Sequence, residues 1–186
     1  MNPKDRTDTI DWDLLSLYMN DHVSGATAGV ARLNHMAKQY QDTPHGENLS
    51  RIARELREER AFYLELIRRR ELPQRSYRQA LAWVGERVGR LKFNRRPLST
   101  SPMTPVLESE LMQSAIAGKI SGWQTLTEYH EALGVGREVF QRFIEQAERQ
   151  IADLESMHAW ARRTAFYKVQ DGESETGSPA DPRKID

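Results

Sequence analysis

Apolar residues recur at alternating steps of three and four along four long stretches of this chain. That rhythm restricts the fold more than any other feature. In the first stretch Leu15, Tyr18, His22, Ala26, Gly29 or Val30, Leu33, Met36 and Tyr40 share one face of a helix from about Asp11 to Tyr40. At 3.6 residues per turn these positions fall on one side, which must be covered. Thr9, Asp11 and Asp13 suit its start, where side-chain oxygens cap free N–H groups and acids complement the helix dipole.

The other three stretches follow the same rule. Thr43-Pro44 opens a second helix, with Leu49, Ile52, Leu56, Glu59, Tyr63 and Leu66 on its stripe, and Leu72-Pro73 stops it. Thr104-Pro105 repeats the start signal. The third helix carries Leu107, Leu111, Ala115, Gly118, Gly122, Leu126 and Tyr129 to about Leu133, and "LGVG" ends it at Gly134 and Gly136. Gly118 and Gly122 each cost roughly 1 kcal/mol against alanine, which makes sense if another helix approaches closely there. The fourth, from about Arg137 to Phe166, has Phe140, Ile144, Ala147, Ile151, Leu154, His158 and Ala161. No run alternates as a half-buried strand does.

Short links within the first and last pairs make antiparallel neighbours. The link between the pairs is long. It opens with a capping-box sequence at Ser76 and carries Tyr77, Leu81, Val84, Val88 and Leu91 on one stripe. The proline-rich "NRRPLSTSPMTP" follows. At about 1.5 Å per helical residue, and more where extended, this link can return along the full length of the helices. The expected fold is all-α: a four-helix bundle of two antiparallel hairpins, joined by a long crossover with a short fifth helix. Residues 10–167 form the one domain expected. Residues 1–9 read as flexible, and the polar tail 168–186, rich in Gly, Ser and Pro, as disordered.

Composition removes several chemistries. The 186 residues include no cysteine, which excludes disulfides, thiolate metal sites and a thiol nucleophile. There is no Gly-rich phosphate loop, nucleophile elbow or His-Glu-x-x-His. No apolar run approaches the roughly 18 residues of a membrane span, and the N-terminus lacks a signal-peptide core. A cytoplasmic location is the expectation. Net charge is zero, but residues 68–96 hold ten Arg or Lys against Glu71 and Glu86, a local +8. Such asymmetry suits an anionic partner, nucleic acid among them, through Arg78, Arg87, Arg90, Lys92, Arg95 and Arg96. It equally suits pairing with the acidic remainder of the chain.

The order hairpin, long crossover, hairpin is similar to the ferritin-like superfamily. The crossover segment "AWVGERVGRLKFN" resembles that of uncharacterised actinobacterial proteins of this kind. The resemblance covers about residues 11–167. Its di-iron members draw a Glu from each of two helices and Glu-x-x-His from each of the other two. In "DLESMHAW" Glu155 and His158 fit that pattern. The second helix offers Glu55 with Glu58, or Glu59 with Phe62, and neither pair supplies a histidine. The first has no glutamate, only Asp21 and His22, and the third has Glu108 and Glu110 near its start. Estimated heights scatter these groups along the helices.

Two further expectations follow. Glu59 interrupts an apolar stripe, and an unpaired buried carboxylate is costly, so it needs a partner. Lys119, at a similar height on the third helix, is the partner expected. For function, the patterning suits a non-catalytic helical protein with no cofactor, acting by binding or assembly, homo-oligomers included. The alternatives are a divergent iron or manganese carboxylate protein, using Glu59, Glu155, His158, Asp21, His22, Glu108 and Glu110, and an anion-binding module built on the crossover.

Overall fold

The computed structural model describes residues 10–73 and 101–167, and among these every regular element is a helix. The five are α1 (Trp12–Gln39), α2 (Gly46–Arg69), α3 (Thr104–Glu128), α4 (His130–Leu133) and α5 (Arg137–Thr164). The short crossover helix, the anion-binding candidates Arg78 to Arg96, and the terminal segments 1–9 and 168–186 lie outside the described residues.

Local sequence explains several helix ends. Asp11 caps α1, its Oδ1 accepting from the Leu14 N–H at 2.9 Å. Gly134 closes the α4 turn at φ 66°, a left-handed conformation that glycine adopts without strain. The two Thr-Pro signals differ from expectation. Helix α2 begins only at Gly46, with Thr43 Oγ1 accepting from the His45 N–H. In α3, Thr104 is already helical and Pro105 lies in the first turn. Proline fits there because the first helical N–H groups have no intrahelical acceptor.

Helix α1 packs on α2, and α3 on α5. Pairing within each runs antiparallel: Arg60 meets Thr27 while Arg57 reaches Asn34, and Gln113 meets Leu154 while Glu110 reaches His158. The two pairs also touch. Tyr18 donates to Thr125, and Tyr40 to Glu108, between α1 and α3; Asn48 donates to Asp153, and Gln146 to Glu59, between α2 and α5.

The apolar interior has two halves. One holds Leu33, Met36, Leu49, Ile52, Leu56, Met112, Ile116, Leu154 and Met157; the other holds Leu15, Met19, Tyr63, Leu66, Trp123, Leu126 and Phe140. Along α2 the first ends at Leu56 and the second begins at Tyr63; along α3 they meet between Ile116 and Trp123. Glu59 and Lys119 occupy that seam.

The α2 stripe is buried throughout. The α3 stripe holds at Gly122 and Leu126, which are buried, but over residues 107–118 it is rotated by about one residue from expectation. Val106, Met112, Ile116 and Trp123 are buried, whereas Leu107 and Leu111 are half-buried and Ala115, Gly118 and Tyr129 are exposed. The cause is visible in the middle of the outer face of α3, where Ser114, Ala115, Ala117, Gly118 and Ser121 carry no charge between Glu110 and Glu128. No polar face sets the phase. Smaller rotations place Met19 and Val23 in the core of α1 rather than Tyr18 and His22, and Met157 in that of α5 rather than His158.

The two α3 glycines separate on the same ground. A Cβ at Gly122 would lie 2.5 Å from His22 Cε1, so the close approach is real there. A Cβ at Gly118 would meet nothing within 4 Å, and no close approach explains that glycine.

Candidate functional site

The seam between the apolar halves is the most concentrated chemistry among the described residues. Its centre is Glu59, projecting from α2 one turn before Tyr63, with a side chain only 2% exposed. Lys119 reaches it from α3 and is itself 11% exposed. The ammonium Nζ lies 2.8 Å from Oε1 and 2.7 Å from Oε2. Two glutamines of α5 complete the arrangement. Gln146 Nε2 donates to Glu59 Oε1 at 2.7 Å, and Gln150 Oε1 accepts from Lys119 Nζ at 2.5 Å. The other end of the Gln150 amide donates to Glu55 Oε2 at 2.8 Å and, at 3.3 Å, to Glu59 Oε1.

This is how an ion pair survives in an apolar interior. Removing two charges from water is costly, and their attraction offsets that cost only when the remaining hydrogen-bonding capacity is also met. Here neutral amides meet much of it. Burial pulls the Lys119 pKa below the ordinary lysine value, while the charge and hydrogen bond of Glu59, and the charge of Glu55, act in the opposite sense. The cluster continues outward along α2 and α5. Arg51 contacts Glu55 at 3.4 Å and Asp153 at 2.6 Å, and Asn48 donates to Asp153.

A second buried carboxylate stands between α1 and α3. Glu108, 2% exposed, takes a 2.8 Å contact from Arg32 and a 2.7 Å hydrogen bond from the Tyr40 hydroxyl. Burial, with the bond and charge of Glu108, holds the Tyr40 hydroxyl far above its usual pKa; Arg32 opposes this. Each inter-hairpin contact therefore contains one buried acid with a basic partner.

The metal candidates are not gathered. Glu59 is committed to Lys119, and Glu108 to Arg32 and Tyr40. His22 stacks on Tyr63 with ring centroids 5.7 Å apart and planes parallel to 1°. Asp21 and Glu155 are exposed. His158 and Glu110 do meet, at 3.1 Å across α5 and α3, but with no third ligand. Among the described residues no three such side chains converge where one metal ion would reach them. The seven candidates of the alternative metal reading face several different parts of the structure.

Of the basic segment, Arg68, Arg69 and Arg70 are described. Glu65 engages the first two, and their hydrogen bonds hold its carboxyl at about 2. Arg70 lies 5.9 Å over the Trp12 ring and donates to the Leu133 carbonyl. These three are paired within the chain.

Sequence reading missed Gln146 and Gln150, the contact of Gln150 with Glu55, and the Arg32–Glu108–Tyr40 contact. A signal for Gln150 existed. It shares a helical turn with Ile151, and choosing the apolar neighbour hid the fully buried glutamine. No protein-family description, characterised protein or solved structure matches this chain.

Proposed function

We propose that this chain is a ferritin-like four-helix bundle whose interior carboxylate site is filled by its own lysine, and that it works by binding or assembly rather than by turnover. The observation that carries this reading is the Lys119 ammonium within 2.8 Å of both Glu59 oxygens, with the Gln150 amide beside it. In a di-metal bundle the interior carboxylates are held for a cation that arrives from solution. Here the cation is part of α3. The contacts α1 to α2, α3 to α5, α1 to α3 and α2 to α5 all run antiparallel, which supports two hairpins joined by a long crossover.

The test is metal content. Protein purified without chelator and then offered iron(II) or manganese(II) should retain far less than one ion per chain. Stoichiometric metal lost on Glu59→Gln substitution, together with redox turnover, would overturn the proposal.

A further inference from the structure

We infer that the aromatic side of the seam holds an internal water site between Glu59 Oε2, the Tyr63 hydroxyl and the Trp123 indole N–H. These three atoms are fully buried, and no protein group forms a hydrogen bond with any of them. Oε2 is ion-paired with Lys119 at 2.7 Å but accepts no aligned hydrogen bond. Three buried polar atoms lacking a hydrogen bond on scattered residues would need three explanations. These belong to one neighbourhood. Tyr63 follows Glu59 by one turn on α2, Trp123 follows Lys119 by one turn on α3, and the two rings stack at 4.2 Å.

Helical side chains lean toward the N-terminus of their own helix. By that rule the Tyr63 ring leans toward the turn holding Glu59, while the Trp123 indole packs against both Tyr63 and Phe143. Burial above all, then the electrostatics of Tyr18 and of Glu59, hold the Tyr63 hydroxyl above its usual pKa. The chemistry of the guest follows from the three atoms. An indole N–H only donates, a carboxylate oxygen only accepts, and a phenol hydroxyl does both. A molecule that joins them must accept from one side and donate to the other, and must fit a close-packed interior. Water does both. Buried waters characteristically serve polar groups that have no protein partner. The site extends the chain Lys119, Gln150, Glu55, Arg51 inward by one further member.

The test has two readouts on the intact protein. A high-resolution crystal structure should show an ordered water within hydrogen-bonding distance of Tyr63 Oη and Glu59 Oε2. Tyr63→Phe should abolish that water and lower Tm by about 2–4 °C, the shift expected for one lost hydrogen bond in a chain of this size. The sign is the informative part. Deleting a hydroxyl that truly lacks a partner relieves a desolvation cost and leaves Tm unchanged or higher. Continuous side-chain packing with no density for water, and a Tyr63→Phe variant at least as stable as the parent, would overturn the inference. Should Tyr63→Phe fail to fold, the wild-type map decides alone.

Discussion

Glu59 shows how a single residue sets the terms for its neighbours. A carboxylate on an apolar stripe must be answered, and Lys119 answers it with a side chain that is itself mostly buried. Breaking one side of such a pair typically costs about 3–5 kcal/mol, because the other charge stays buried alone. Lys119→Met and Glu59→Leu should each cost about that much. The double variant should cost much less, and a double-mutant cycle in urea reads the difference as coupling. A coupling near zero would mean that the two charges act independently. His22 gives a second prediction. Burial lowers its pKa below the usual 6.5, and the nearby charge of Asp21 opposes this. The unfolded imidazole then takes up its proton at a higher pH than the folded one. Between the two values the unfolded state holds more protons, so stability falls as pH drops through that window. The loss of Tm between about pH 7.5 and about pH 5 should be smaller in His22→Phe than in the parent. Equal losses in both would show that His22 contributes nothing to the acid limb.

Among the elements, α3 is the most exposed to misreading, and its two glycines turn that into a measurement. Gly118→Ala adds a methyl group to open space and removes a poor helix former, so it should stabilise the protein by about 0.5–1 kcal/mol. Gly122→Ala drives a methyl group into the His22 ring, which already lies 4.7 Å from the Tyr18 ring and 5.7 Å from that of Tyr63. Overpacking of this kind typically costs about 1–3 kcal/mol and should outweigh the gain in helix propensity. Urea midpoints moving in opposite directions are the expected result; a shared direction would place the buried face of α3 elsewhere. The same helix marks where sequence reading stopped. On α2 charged residues crowd the outer face, the phase of the stripe is unambiguous, and all six stripe residues are buried. On α3 serine, alanine and glycine fill the middle of the outer face, and periodicity alone admits either of two phases there. Glu59 was legible because charge stands out on an apolar stripe, and Lys119 because it lies at a similar height on the third helix. Gln150 was not, because Ile151 beside it is the residue a hydrophobic pattern selects. The pairing of His158 with Glu110 depends on how two helices meet in space, which the sequence of neither reveals.

At the scale of the whole molecule, both apolar halves draw residues from all four long helices, so neither hairpin keeps an interior of its own. Unfolding should therefore be a single transition, with far-UV circular dichroism and tryptophan fluorescence tracing the same curve. Two separated midpoints would mean that the hairpins melt as separate units. The polar seam has one more consequence, and it concerns the structures this chain does not adopt. Greasy helix faces slide over one another at little cost, because one leucine is a fair substitute for the next. If α3 slid by one turn past α2, Glu59 would face Ala115 or Trp123 instead of Lys119, and its charge would have no counter-ion. The misdocked form would lose several kcal/mol at one stroke, about the cost of a stranded buried charge. The ion pair thus acts less as an adhesive than as a key that only one docking of the hairpins can turn.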